Sequence, residues 1–120
     1  MDYKDLIVWQ KSRLLVKNVY EIINTIEIFK ERVLIDQLSR AVVSVPSNIA
    51  EGIGRQYKKE TIQFLSISKA SLNETETLIF LIADKELIDA NHLLRMIDLV
   101  TECKKLIQGL INYYKNSNLK

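Results

Sequence analysis

The sequence predicts an all-α protein, an antiparallel up-down-up-down four-helix bundle, from two observations. Apolar residues recur at steps of three and four through most of the 120 residues, which is the period of helices buried on one face. The chain has only three glycines and one proline, so turn-rich β folds are excluded. Helices joined by short loops pack as antiparallel neighbours. We therefore expect one four-helix-bundle domain over residues 1–120.

The first predicted helix covers residues 5–26 and carries an apolar stripe wider than a coiled-coil seam. Its basic residues Lys11, Arg13 and Lys17 fall away from that stripe. The stripe has two adjacent lines with a seven-residue repeat, Trp9, Val16 and Ile23 beside Val8, Leu15 and Ile22.

The second predicted helix covers residues 31–53 and contains Pro46. A proline inside a helix removes one hydrogen bond and kinks the axis. Alternatively, Ser44 or Ser47 caps a new short helix at this point. Gly52 and Gly54 then end the helix, as glycines beyond a C-terminus do. The apolar positions with helical spacing are Leu34, Leu38, Ala41, Val45 and Ile49.

The third and fourth predicted helices cover residues 58–83 and 89–114. Small residues over 66–71 predict close packing of the third helix, and Asp89 is a favourable N-cap for the fourth. The first and third helices carry more apolar surface than one stripe requires. Because that surplus must be buried somewhere, the sequence predicts a homo-oligomer.

Composition excludes several classes of site. One cysteine and one histidine cannot form an internal disulfide, a zinc knuckle or a site with two imidazoles. Asp89 and His92 have the spacing of half a di-iron motif, but we interpret them as an N-cap beside a surface histidine. Ser66 and Lys69 spell Ser-x-x-Lys in mid-helix, without the companion motifs. We therefore predict no catalytic residues, no cofactor and no metal.

The same reasoning addresses compartment. The N-terminal residues lack the apolar core of a signal peptide, and no apolar stretch is long enough for a bilayer. The free Cys103 suits a reducing compartment. We expect a cytoplasmic protein that does not associate with membranes.

Basic residues supply the candidate binding surface. The chain has 17 Lys and Arg against 15 Asp and Glu, a net charge of +2, which is too balanced for a non-specific nucleic-acid coat but compatible with a local patch. An ordinary solvated face is the plainer interpretation, and a helix-turn-helix opening at Ser47 is a third, although its turn lacks glycine. The candidate phosphate contacts are Arg40, Arg55, Lys58 and Lys59, with Lys11, Arg13 and Lys17 as second choices.

Two stretches carry a family resemblance. Residues 5–10, DLIVWQ, and residues 37–52, QLSRAVVSVPSNIAEG, resemble the bacterial four-helix-bundle family of 23S rRNA intervening-sequence proteins. Phe64-Leu65, Ser71-Leu72 and Glu74 continue the pattern, and the resemblance extends over about residues 5–112. The Val-Pro-Ser-Asn-Ile-Ala-Glu-Gly run is its specific part.

The resemblance implies a small all-α protein without established enzyme activity that assembles into a pentameric ring. A related accessory protein of retroelements binds a reverse transcriptase and nucleic acid through a basic surface. Structured RNA or a nucleic-acid-processing protein is therefore the expected partner, and a protein-interaction scaffold is the alternative. Many relatives have two arginines where this chain has Ser39 and Arg40, so one charge of the expected patch is missing.

The resemblance also draws attention to two polar residues in an apolar stretch. We expect Asn48 to bond the backbone that Pro46 leaves without a partner. We expect Glu51 to bind a basic residue on a neighbouring helix or subunit.

Overall fold

The structure, a computed structural model, describes residues 1–26 and 28–120 and contains four α-helices within them. They are α1 (Ile7–Ile23), α2 (Ile28–Ile53), α3 (Lys58–Asp84) and α4 (Ala90–Lys115). A short 3-10 helix, Tyr3–Asp5, precedes α1. No strand occurs among these residues, and the predicted all-α class is confirmed.

The helices pack as an antiparallel ring of four, elongated to 50 × 23 × 20 Å. Each helix contacts its neighbours in sequence, and α4 closes the bundle against α1. One fully buried residue from each helix illustrates the core, namely Leu15, Val45, Leu72 and Ile107. The predicted four-helix bundle is confirmed.

The helix ends follow local hydrogen bonding. Asp2 accepts a bond from the Lys4 N–H, and Leu6 is extended, so α1 begins at Ile7 instead of residue 5. Residue 27 of the predicted first break lies outside the described residues, and α2 begins at Ile28. Asp89 caps α4 by accepting the His92 N–H at 2.8 Å, as predicted.

Pro46 does not divide the second helix. The residue of α2 with non-helical backbone angles is Glu31, at φ −132° and ψ 32°. The alternative of a new helix capped by Ser44 or Ser47 and the helix-turn-helix interpretation are therefore wrong. Side chains supply hydrogen bonds around the proline: Ser47 Oγ donates to the Val43 carbonyl at 2.9 Å, and Ser68 Oγ of α3 donates to that of Val45 at 2.8 Å.

Asn48 does not bond the carbonyl that the proline leaves without a partner. In an α-helix the missing N–H of Pro46 would have bonded the carbonyl four residues earlier, at Val42. The Asn48 amide instead donates to the carbonyl and the hydroxyl of Ser44, each at 2.8 Å. The prediction for Asn48 was wrong, because its side-chain amide reaches the carbonyl one helical turn earlier, which is that of Ser44 and not that of Val42.

Small residues bring α2 and α3 close together. A Cβ atom built on Gly52 would lie 2.9 Å from the Phe64 Cβ. Thr61 Oγ1 donates to the Gly52 carbonyl at 2.7 Å, and the hydroxyls of Ser44 and Ser71 bond each other at 2.8 Å. The close packing predicted for the third helix is confirmed.

The apolar stripe predicted for α1 is buried within the single chain. Its members Val8, Leu15, Ile22 and Ile23 belong to the core, and Trp9 and Val16 pack against it. Ile7 and Leu14, outside that stripe, are exposed, as are Ile67, Phe80 and Leu81 of α3. The single bundle therefore buries the α1 surface from which self-association was predicted and leaves other apolar side chains of α1 and α3 in solvent.

Candidate nucleic-acid interface

Antiparallel packing collects basic residues at one end of the bundle. This is the end where α1 and α3 begin and α2 and α4 finish. Its alignment is fixed by contacts such as Lys69 Nζ to Gln108 Oε1 at 2.6 Å. We call residues 1–13, 42–69 and 104–120 the basic half. It contains eleven Lys and Arg against four Asp and Glu, a formal charge of +7.

The opposite end has the opposite charge. A bond from Lys85 Nζ to Glu31 Oε1 at 2.9 Å joins the end of α3 to the start of α2 there. We call residues 14–26, 31–41 and 70–103 the acidic half. It contains five Lys and Arg against ten Asp and Glu, a formal charge of −5. The near-neutral total therefore conceals a strongly dipolar molecule.

Arg55 is held at the end of α2 by two contacts. Its guanidinium lies 4.7 Å from the centre of the Phe64 ring, and Nη2 lies 3.1 Å from Glu51 Oε2. Within this chain Glu51 therefore pairs with a residue one turn further on and not with a basic residue of a neighbouring helix. The Arg55 side chain is still 41% exposed, so it can reach a phosphate.

Lys58 and Lys59 stand beside Arg55 but differ in role. Lys58 is half-buried, and its Nζ donates to the Ser117 carbonyl at 3.0 Å while its N–H donates to that of Lys120. Lys58 therefore fastens the segment after α4 to the start of α3. Lys59 is exposed, so its ammonium group is more accessible to solvent than that of Lys58.

Three further predicted residues lie elsewhere, around a groove between α1 and α2. Arg13 lines this groove. Lys17 is one helical turn beyond Arg13, and Arg40 is one turn before Val43 on the facing helix, so both border it. Arg40 precedes the end of α2 by 13 residues, about 20 Å along the axis. It is therefore not part of the cluster around Arg55.

The structure separates Lys11 from both groups. Its Nζ lies 3.4 Å from Glu102 Oε1 of α4, on the side of α1 away from the groove. Sequence reasoning missed six lysines of the basic half, among them Lys105, Lys115 and Lys120 at the end of α4 and beyond it. The up-down topology was the available signal, since it places the end of the fourth helix beside the start of the third.

The single cysteine and the single histidine of the chain, Cys103 and His92, lie in surroundings that suit structural roles. Burial raises the pKa of Cys103 to about 11, so its sulfur is a thiol at neutral pH. The His92 N–H bonds the Asp89 carboxylate and lowers the pKa of Asp89, and His92 Nδ1 lies 2.7 Å from Asp89 Oδ2. Within residues 1–26 and 28–120, no three His, Cys, Asp or Glu side chains group as metal ligands.

None of the helices in the described part of the chain combines the length and apolar character needed to cross a membrane.

Comparison with known proteins agrees with the fold. A search of curated proteins finds no match. A crystal structure of a protein of unknown function from the S23 ribosomal protein family of Bacteroides thetaiotaomicron VPI-5482 superposes with a TM-score of 0.79. The two chains are 25% identical, over 88% of this chain and 98% of that one. The family model of the 23S rRNA-intervening sequence protein matches residues 4–109. This chain therefore belongs to the 23S rRNA-intervening sequence protein family.

Proposed function

We propose that this protein is a non-enzymatic, self-associating module that binds structured RNA, or a ribonucleoprotein, through its basic half. The observation that carries the proposal is the division of charge, +7 against −5 along one bundle. A polyanion is attracted to one end of the bundle and repelled from the other. The charge distribution therefore orients the protein on the polyanion as well as attracting the two to each other.

The contacts we assign to phosphates are exposed cations of the basic half. Arg55 and Lys59 stand at the junction of α2 and α3, and Lys105, Lys115 and Lys120 come from the end of α4 and beyond. Lys58 supports them by holding residues 117–120 in place. Five contacts of this kind give sequence-independent affinity that depends steeply on salt.

The test is binding of the purified protein to a structured rRNA fragment, a DNA duplex and heparin at two salt concentrations. With about five phosphate contacts, we expect RNA affinity to fall about 100- to 500-fold between 50 and 200 mM salt. The double variant Arg55→Gln with Lys59→Gln should bind RNA more weakly and lower the salt slope by about 1.5 to 2.

The matched control removes the same charge from the acidic half. Arg32→Gln with Arg95→Gln, both exposed, should leave RNA affinity at low salt nearly unchanged or raise it slightly. Absence of binding to all three polyanions at low salt would contradict the proposal. Salt-insensitive binding to a protein partner would instead favour the scaffold alternative.

For self-association we propose the face between α1 and α4. An open groove of about 560 Å³ runs there. Ile7 is 60% exposed and Tyr113 56%, while a Cβ on Gly109 would meet nothing within 4 Å. A glycine inside a helix costs about 1 kcal/mol relative to alanine. Gly109 has no packing partner within the described part of this chain. A second copy that approaches closely at this position would account for a glycine there. The ring implied by the resemblance would then multiply weak phosphate contacts through avidity.

We expect Ile7→Lys to lower the mass measured by light scattering towards that of one chain, with helical circular dichroism unchanged. A buried lysine at the interface would lose its hydration without gaining a partner. The control Val33→Lys, at an exposed position of α2, should keep the mass of the unaltered protein. An equal mass for all three proteins would rule out this face.

A further inference from the structure

The groove between α1 and α2 has features that phosphate binding does not require. It is open to solvent and measures about 340 Å³, within the range of small-ligand sites. Trp9, Arg13 and Val16 of α1 form one wall, and Val43, Pro46 and Ala50 of α2 form the other. We infer that this groove holds an unpaired nucleobase of the bound RNA. The inference rests on the proposed function and names the class of RNA.

The α1 wall provides flat surfaces for stacking. The Arg13 guanidinium lies over the Trp9 ring, 5.6 Å from its centre. Tyr3 also packs against the indole in an edge-to-face arrangement, with ring centres 5.3 Å apart and planes at 68°. Proteins that recognise single-stranded RNA stack exposed bases on aromatic rings and on arginine planes. Trp9 is therefore fixed in place by its neighbours while it lines an open groove.

The α2 wall is aliphatic and lacks competing donors. Val43 is 40% exposed, and Pro46 has no N–H of its own. Ser47 uses its hydroxyl hydrogen on the Val43 carbonyl, which leaves its oxygen lone pairs as acceptors at the groove. An aromatic base with an exocyclic amino group matches this wall, through its apolar face and its N–H donors.

Charge around the groove complements a nucleic-acid backbone. Arg13 forms part of the wall, and Lys17 and Arg40 border it, while most of the groove lies in the basic half. A base seated between the walls would leave its phosphates beside these cations. A base paired within an A-form duplex is stacked inside the helix and cannot enter. The groove therefore favours loops, bulges and single strands over duplex RNA.

The experiment uses the single tryptophan of the chain, Trp9, as a reporter within the groove. Oligoadenylate RNA of ten nucleotides, the same strand in a duplex with its complement, and inorganic polyphosphate are titrated against the protein. We expect the single strand to change Trp9 fluorescence and to bind roughly tenfold more tightly than the duplex, consistent with stacking of one base. Polyphosphate should bind in a salt-dependent way without changing Trp9 fluorescence.

The diagnostic variant is Arg13→Gln, since Arg13 is exposed and its loss leaves the core intact. Its affinity should fall by about five- to tenfold for the single strand and by less for polyphosphate, whereas Arg32→Gln in the acidic half should change neither appreciably. Equal affinity for single strand and duplex, with Trp9 fluorescence unchanged at saturation, would overturn the groove and leave phosphate binding standing. Failure of polyphosphate and both RNAs to bind at low salt would overturn the proposed function itself.

Discussion

Leu72→Ala is expected to lower the free energy of unfolding by about 2–5 kcal/mol. Leu72 is 0% exposed at the centre of α3, so truncation removes buried methyl groups and leaves a cavity. Val42, Val45 and Val100 are also fully buried, and such stiff β-branched side chains refill space poorly. Urea unfolding followed by circular dichroism measures the change.

The control for this substitution is Leu94→Ala. Leu94 is 60% exposed on α4, so its truncation should change the unfolding free energy by less than about 0.5 kcal/mol. Similar losses for the two variants would mean that Leu72 does not occupy the core as described.

Gly52→Ala is expected to destabilise the protein by about 1–3 kcal/mol, although alanine is the better helix former. The added Cβ would lie 2.9 Å from the Phe64 Cβ and 3.2 Å from the Thr61 carbonyl oxygen. Neither atom is the end of a flexible side chain, so α2 and α3 must separate. That movement also strains the bond from the Thr61 hydroxyl to the Gly52 carbonyl.

Gly54 provides the matched control by thermal and urea unfolding. A Cβ on Gly54 meets only ordinary contacts at 3.6 Å, so Gly54→Ala should be close to neutral. A stability gain for Gly52→Ala, or a loss no larger than that of Gly54→Ala, would contradict the close approach of α2 and α3.

Local signals predicted the features that depend on neighbouring residues. Asp89 caps α4 because its carboxylate needs only the N–H three residues on. The small residues of α3 predicted close packing because small side chains let a neighbouring backbone approach, whichever helix the neighbour is. The consequences of Pro46 were not predictable in this way. The helix continues through the proline, and hydroxyl groups of Ser47 in α2 and Ser68 in α3 donate hydrogen bonds to backbone carbonyls beside it. The contact from Ser68 is known only once the two helices are packed.

The sequence by itself determined four helices and their apolar faces, because helical periodicity is a property of consecutive residues. Only the tertiary structure decided the candidate sites. It joined Arg55 and Lys59 to lysines at the end of α4, and it placed Arg40 about 20 Å away beside the groove of Trp9 and Arg13. Basic and acidic segments alternate along the chain. They form two oppositely charged halves because antiparallel packing brings distant segments to the same end of the bundle. Spacing along one helix cannot reveal that arrangement.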